Sequence, residues 1–98
     1  MNTQNLMAQA QKMQRDITKK QEEIYNMNFI GSSEWVDITI TGKKEIVKID
    51  IKYDGNINDD RDLLADMITI ALNDAFKKVE KEIDSKLGMY SKQLGGLF

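Results

Sequence analysis

The residues of this chain best suited to chemistry are basic side chains near the N-terminus. Lys12, Arg15 and Lys19 recur at spacings of three and four residues, which places them along one stripe of a helix. Such a stripe can neutralise nucleic-acid phosphates and release their counterions, which gives a salt-sensitive affinity that is independent of base sequence. The same pattern is also an ordinary solvent-facing helix surface, so by itself it indicates nucleic-acid binding only weakly.

The net charge of −2 hides an uneven distribution of charge along the chain. Residues 1–21 contain four basic side chains and one acidic one, residues 28–60 four basic and seven acidic, and residues 77–98 five basic and three acidic. Two basic outer segments therefore flank an acidic centre. If two helices at the ends of the chain pack antiparallel, we expect their basic stretches to project on the same side of the molecule.

The composition argues against catalysis and metal binding. The chain contains no His and no Cys, which removes imidazole bases, thiolate nucleophiles and the two commonest zinc ligands. Asp54, Asn56 and Asn58 match the opening of a calcium loop, but Asp59 replaces the required Gly and Ala65 the required Glu. We therefore expect a protein that is not an enzyme and that has no cofactor.

Among the elements that must position these side chains, a central hairpin over residues 36–53 gives the clearest pattern. Apolar and polar residues alternate there with the period of a strand that has one buried face. The apolar positions are Val36, Ile38, Ile40, Val47, Ile49, Ile51 and Tyr53. Gly42, in the connecting turn, is expected to supply a positive φ. A two-stranded ribbon is marginal alone in water, so helices, a second copy of the chain, or both must cover its apolar face.

Helices are predicted on either side of this hairpin. Residues 2–27 carry apolar side chains at alternating spacings of three and four, a heptad-like seam that only Lys20 interrupts. The seam residues are Leu6, Ala10, Met13, Ile17, Ile24 and Met27. A second helix with an apolar period of 3.6 is predicted from about Asp60 to at least Tyr90, with the glycines after Leu94 ending it.

Two shorter features complete the predicted elements. The apolar run 28–30 precedes a turn signal at residues 31–33, so it predicts a first strand of a three-stranded meander. Trp35 opens the second strand, and we expect it to pack beneath a helix end, with a role in an interface or in stacking as the alternative.

The order of elements predicts an α+β fold in a single domain over residues 1–98: a long helix, a three-stranded antiparallel meander and a second long helix. At 1.5 Å per residue the helices would be about 37 and 45 Å long, so part of each must overhang a sheet of this size. That geometry favours a homodimer. No apolar run is long enough to span a membrane and no secretory signal is evident, so we expect a cytoplasmic protein.

Several strings, in this order and spacing, carry a family resemblance along nearly the whole chain. They occupy residues 5–14, 20–24, 36–42, 47–50, 63–68 and 71–78. The chain resembles the YbaB/EbfC family of bacterial nucleoid-associated proteins. The resemblance implies a homodimer in which the sheets of two chains pair at the centre while the helices protrude as arms. It also implies binding of duplex DNA with low sequence specificity, and a location in the nucleoid.

Carried over to this sequence, the resemblance implies two sets of functional residues. The DNA-binding candidates are Lys12, Arg15, Lys19, Lys86 and Lys92, and the dimer-interface candidates are Val36, Ile38, Ile40, Val47, Ile49 and Ile51. Two features depart from the family pattern: Lys20 replaces an apolar seam residue, and the tail after Gln93 is short. The alternative function is a dimeric coiled-coil adaptor or chaperone-like protein that grips a partner helix along the seam and does not bind DNA.

Overall fold

The structure is a computed structural model that describes residues 2–93, and the side chains of residues 2–90. Helix α1 (Thr3–Tyr25) is followed by strands β1 (Asn28–Ser32), β2 (Val36–Thr41) and β3 (Ile46–Ile51), and then by helix α2 (Arg61–Gln93). The strands form one antiparallel sheet in the order β1-β2-β3. The predicted helix, meander and helix of an α+β fold are thus confirmed. The predicted end of the second helix after Leu94 lies outside the described residues.

Strand β2 is the centre of the core because it alternates fully buried and half-buried residues along its length. Val36, Ile38 and Ile40 are all 0% exposed, and they belong to one cluster with Ala71 and Ala75 of α2. Each buried Ile or Val contributes about 1.5 to 3 kcal/mol relative to an exposed one. The alternation that predicted the hairpin therefore sets which face of β2 lies against α2.

Strand β1 extends to Ser32, two residues beyond the predicted strand, because Gly31 lies against α2. A Cβ atom at Gly31 would be 2.0 Å from the carbonyl oxygen of Ala71 and 2.3 Å from the backbone nitrogen of Ala75. The prediction of a turn beginning at this glycine was wrong, since the residue allows close packing of a strand on a helix. The bend between β1 and β2 comes later, at residues 33–35.

The role predicted for Gly42 was also wrong. Among the described non-glycine residues, Lys44 is the one with a positive φ, 65°. Gly42 instead lies against the end of α1, where a Cβ atom would be 1.9 Å from the carbonyl oxygen of Ile24. Its N–H donates a hydrogen bond of 3.1 Å to the carbonyl of Met27. This glycine therefore lets the hairpin turn approach the helix.

Helices α1 and the second half of α2 pack antiparallel and form an arm that leaves the sheet. Ile17 and Ile24 are buried in one cluster with Leu87 and Tyr90. Lys20, which interrupts the seam, is half-buried with its Nζ 5.9 Å from the centroid of the Tyr90 ring, within the range of a cation–π interaction. The molecule is 70 Å long and only 21 by 14 Å across. Residues 2–12, which are the N-cap and the first turns of α1, are all exposed.

Strand β3 differs from the other two strands because all six of its residues are exposed. Its Ile49 and Ile51 lie opposite Ile38 and Val36, so their side chains share the apolar face of the sheet. Helix α2 packs over β1 and β2 and leaves this part of the face open. The covering predicted for the hairpin's apolar face is therefore present on β2 and lacking on β3 within the described residues.

Candidate nucleic-acid interface

The basic stripe of α1, defined by Lys12, Arg15 and Lys19, is presented as the sequence predicted. The helix starts cleanly because the side chain of Asn2 accepts a hydrogen bond of 2.9 Å from the N–H of Gln4. All three basic side chains are exposed. None lies within 4.0 Å of a carboxylate among the described residues. Their charges are therefore available to an anionic ligand.

Lys86 occupies a different environment from the stripe. Its Nζ lies 3.3 Å from a carboxylate oxygen of Glu82 and 4.0 Å from one of Glu23 on α1. It also lies 3.8 Å from the sulfur of Met27. Its side chain is 32% exposed. The charge of Lys86 is therefore largely balanced by carboxylates where the two helices meet. Lys92 lies within α2, but its side chain falls outside the described part.

In the acidic centre of the chain, Asp37 forms an ion pair with Lys52. Hydrogen bonds from Lys52 and Ser32 lower the pKa of Asp37, and the ion pair with Asp37 raises the pKa of Lys52. The start of α2 is more strongly acidic: residues 58–63 line an open depression of about 490 Å³ that contains three Asp carboxylates and one Arg. A phosphate backbone would be repelled there, so the geometry favours α1 as the anion-binding surface.

The aromatic rings of Trp35 and Tyr53 pack against each other. Their ring centroids are 4.2 Å apart at an interplanar angle of 32°, and the Tyr53 hydroxyl donates a hydrogen bond to the carboxylate of Asp60. This hydrogen bond raises the pKa of Tyr53, because the carboxylate favours the protonated phenol. Trp35 is half-buried and serves as packing beside the start of α2.

The six dimer-interface candidates fall into two groups. Val36, Ile38 and Ile40 are 0% exposed beneath α2 of their own chain, whereas Val47, Ile49 and Ile51 are 58, 45 and 41% exposed. A partner can reach the second group without any rearrangement. Residues of the first group are buried in the core on β2, the strand that pairs with β3.

Comparison with known proteins decides the family. The model of the YbaB/EbfC DNA-binding family matches residues 1–94. This chain belongs to the YbaB/EbfC DNA-binding family. The family resemblance derived from the strings in the sequence is thereby confirmed, and the family is described by DNA binding and not by a catalysed reaction.

Curated relatives of this YbaB/EbfC chain are bacterial nucleoid-associated proteins. Nucleoid-associated protein LL0120 of Lactococcus lactis subsp. lactis is 41% identical over 96 residues, covering 96% of this chain and 97% of the relative. A nucleoid-associated protein of Enterococcus faecalis is 39% identical over 97 residues, covering 97% and 93%. Among solved structures, the uncharacterized protein HP0035 from Helicobacter pylori superposes with a TM-score of 0.72 at 21% identity, covering 96% of this chain and 98% of that one. This likeness supports the fold.

Two features of this YbaB/EbfC chain could not be found from the sequence. The pairing of Lys86 with Glu23 depends on how the two helices pack, and their residues are far apart in the chain. The split of the interface candidates depends on how far α2 extends across the sheet. Neither helix of the described region is both long enough and apolar enough to cross a membrane.

Proposed function

We propose that this YbaB/EbfC protein is a homodimer that binds duplex DNA with low sequence specificity through the basic stripe of α1, within the cytoplasmic nucleoid. The observation that carries the proposal is the combination of position and availability at Lys12, Arg15 and Lys19. All three are exposed on a projecting helix, and no described carboxylate lies within ion-pair distance of them. The function involves no catalytic step and no cofactor.

Phosphate contacts are the interaction that these side chains can make. Lys and Arg contacts to the backbone release condensed counterions, so affinity falls as salt rises. Two arms with three contacts each would neutralise about six phosphates, for a slope near −5 in a plot of log affinity against log salt. Lys86 would contribute less than the stripe, because Glu82 and Glu23 already compete for its charge.

Low sequence specificity follows from the side chains on the arm. Bidentate recognition of guanine is made mostly by Arg, and Arg15 is the single Arg of α1. The other Arg of the chain, Arg61, begins α2 among three Asp residues. The side chains of the stripe are therefore suited to positioning on the backbone more than to reading bases.

The test compares two charge-reversal variants with the same change in net charge. Lys12→Glu/Lys19→Glu alters the stripe, whereas Lys77→Glu/Lys81→Glu alters two exposed lysines of α2 that have no carboxylate partner in the described region. Binding to a labelled duplex of about 30 base pairs, roughly three helical turns, is followed by fluorescence anisotropy over a range of salt concentrations.

We expect the stripe variant to lose at least about tenfold in affinity at low salt and its salt slope to shrink by about 4, one unit for each lost contact. The control variant should keep a slope within about 1 of the wild type. Equal losses in both variants would show that net charge, and not the stripe, governs binding. No binding by the wild-type dimer at low salt would overturn the proposal.

A second candidate function is favoured by the apolar side chains at the end of α1. Leu6 and Met7 are 48 and 57% exposed, so the projecting half of the helix could grip a partner helix as an adaptor or chaperone-like protein. Seam binding of this kind tolerates salt and is weakened by Leu6→Ser. Binding to DNA through the stripe has the opposite dependence, so the same titrations distinguish the two functions.

A further inference from the structure

A cleft between α1 and the second half of α2 lies beside the basic stripe. It has a volume of about 280 Å³ and is lined by Asp16, Lys19, Lys20, Glu23 and Tyr90. We call it the interhelical cleft. Lys19 belongs both to the stripe and to the cleft, so the cleft continues the stripe from α1 toward α2. A water molecule takes up about 30 Å³ in the liquid, which leaves room in the cleft for a phosphate group and several waters.

Tyr90 brings a hydroxyl group to this cleft that the described protein does not use. The residue is only 9% exposed. Its hydroxyl has no hydrogen-bond partner among the described residues, whereas the hydroxyl of Tyr53 donates to Asp60. No described side-chain polar atom is both fully buried and unpartnered, so the Tyr90 hydroxyl reaches solvent. A buried Tyr hydroxyl usually finds a partner, and here a group that enters the cleft can supply it.

Lys20 brings a cation to the same cleft at a cost in packing. It interrupts the apolar seam of α1, where a polar residue lowers stability. Its Nζ lies 5.9 Å from the centroid of the Tyr90 ring, and no carboxylate lies within 4.0 Å of that Nζ among residues 2–90. The ring faces one side of the ammonium group, so N–H donors on its other sides remain for a ligand.

Two carboxylates also line the cleft and limit how strongly it attracts an anion. Asp16 precedes Lys20 by four residues and Glu23 follows it by three, so both lie on the same face of α1. Glu23 lies 4.0 Å from Nζ of Lys86, which balances part of its charge. Asp16 has no basic group within 4.0 Å in the described region. A single phosphate should therefore bind weakly, and more tightly when the stripe holds neighbouring phosphates of the same strand.

We propose that the interhelical cleft binds one phosphodiester group of the duplex through Lys19, Lys20 and the hydroxyl of Tyr90. The two ammonium groups neutralise the phosphate, and the phenol donates a hydrogen bond to one of its oxygens. The inference deepens the proposed function and rests on it, since it names the point where the DNA backbone passes from α1 to α2. It also gives a reason for the lysine that interrupts the seam.

Removing one oxygen atom tests the cleft without changing any charge. Tyr90→Phe keeps the ring and its packing, and it should lower the affinity for the labelled duplex about fivefold, because a hydrogen bond to a charged group is lost. Tyr25→Phe is the matched control, since Tyr25 is 42% exposed on α1 and lies outside the cleft. Its affinity should stay within about twofold of the wild type. Anisotropy titrations at low salt measure both.

Lys20→Met tests the cation. This variant restores an apolar seam residue, so the free energy of unfolding should not fall, yet the affinity for DNA should drop about tenfold. Lys81→Met removes the same charge from an exposed position of α2 that has no carboxylate partner in the described region. It should lower the affinity by less than about threefold, since salt screens a distant charge. Equal affinities of the two variants, with a change in the urea midpoint of Lys20→Met, would show a structural role alone.

Asp16→Asn should change the affinity in the opposite direction. Removing the unbalanced carboxylate from the cleft should raise the affinity for the duplex about threefold. Asp66→Asn is the control, because it removes the same charge from an exposed position of α2 outside the cleft, and it should change the affinity by less than about 1.5-fold. Equal increases in the two variants would show that net charge, and not the cleft, determines the effect.

Inorganic phosphate separates a site for DNA from a site for small phosphate ligands. Nuclear magnetic resonance observes the lysine ammonium groups, and Lys20→Arg identifies the signal of Lys20. That signal should shift when the duplex is added. Inorganic phosphate at the same ionic strength should shift it far less, because a single phosphate does not bind the stripe at the same time. Saturation of the shift by micromolar inorganic phosphate would overturn the assignment of the cleft to DNA.

The outcomes separate this inference from the function on which it rests. If the stripe variant loses affinity while Tyr90→Phe and Lys20→Met bind DNA as the wild type does, the cleft is excluded and the proposed function stands. If the wild type does not bind DNA at low salt, both are overturned. Circular dichroism of each variant verifies that the fold is retained.

Discussion

The two edges of the sheet are treated differently by the rest of the chain. On β1, the N–H of Ser32 donates a hydrogen bond of 3.0 Å to the carboxylate of Asp74, and Nζ of Lys78 donates one of 2.6 Å to the carbonyl of Ile30. Side chains of α2 thus occupy the outward groups of β1. On β3, Ile49 and Ile51 have no such cover within the described residues. Proteins usually block exposed strand edges because open edges recruit other strands, and among the described residues the sheet is blocked on β1 and open on β3.

The largest difference between the two sides of the sheet should appear in the core beneath α2. Ile38→Ala removes a fully buried side chain and should lower the free energy of unfolding by about 4 kcal/mol, since a cavity remains under the helix. Ile49→Ala, directly opposite on β3, should cost less than about 1 kcal/mol in the dilute chain because Ile49 is half exposed. Urea denaturation followed by circular dichroism measures both.

The dependence of these values on protein concentration sharpens the comparison. If β3 is buried between two chains, the cost of Ile49→Ala should grow with concentration, because association stabilises only the folded state. The cost of Ile38→Ala should stay nearly constant. A cost for Ile49→Ala that stays below about 1 kcal/mol at every concentration would show that β3 remains an open edge in solution.

The hydrogen bonds from side chains of α2 to the outer edge of β1 require the helix to lie close to the strand. Gly31→Ala would place a Cβ atom 2.0 Å from the carbonyl oxygen of Ala71, so the strand and the helix must move apart. We expect a loss of about 3 kcal/mol in the free energy of unfolding. Gly88→Ala in α2 is the control, because a Cβ atom there meets nothing within 4 Å. It should stabilise the protein by up to about 1 kcal/mol through helix propensity. A neutral Gly31→Ala would contradict the close packing.

Removing the hydrogen bond from Asp74 to the β1 edge should lower the free energy of unfolding by less than Gly31→Ala does. Asp74→Ala removes the acceptor for the N–H of Ser32 and also the partner of Lys78, whose Nζ lies 3.4 Å from the Asp74 carboxylate. We expect faster hydrogen exchange at the Ser32 amide and a modest fall in the urea midpoint. Asp74→Asn keeps an acceptor without the charge, so it should retain more of the amide protection. Exchange at the Ser32 amide that is as slow in Asp74→Ala as in the wild type would show that the carboxylate does not cover this edge.

The pH dependence of the free energy of unfolding should also report the contact between Asp74 and the N–H of Ser32. The hydrogen bond from the N–H of Ser32, and next the charge of Lys78, hold the pKa of Asp74 below its usual value. A carboxylate with a lowered folded-state pKa contributes stability above its unfolded pKa, about 3.9, and this contribution is lost as pH falls through the folded value. The wild type should therefore lose stability below about pH 4, and Asp74→Asn should lose less over the same range. Parallel pH profiles for the two proteins would argue against the contact.

Much of the fold follows from local pattern, and the exceptions involve distances between elements. Alternation predicted β2, and the helical period predicted both helices, because each pattern acts within one element. β3 shows the same alternation in sequence, but a β-bulge skips Val47 and sets Ile46 opposite Ile40. Its side chains are exposed because α2 packs over β1 and β2. Gly31 and Gly42 were predicted as turn residues, whereas close approach to a helix explains both.

For the candidate site, the stripe of α1 was predictable because it lies on a single helix and its exposure follows from its charge. The engagement of Lys86 with Glu23 was not, since it depends on the alignment of two helices. Lys20 shows a similar limit. Its sequence position marks an interruption of the seam, and only the packing of α2 brings the Tyr90 ring to within 5.9 Å of its cation.

The projecting half of α1 has a consequence for how local stability varies along the arm. Residues 2–12 are exposed, whereas Ile17 is buried in the core, so the first turns depend mainly on the Asn2 cap and on intrinsic helix propensity. Opening of such segments costs far less free energy than global unfolding. Lys12 therefore lies on a part of the helix that can fray and re-form, while Arg15 and Lys19 lie where α2 begins to hold it. A bound polyanion would relieve the repulsion among these cations and order the tip, so amide exchange over residues 3–12 should slow when DNA is added.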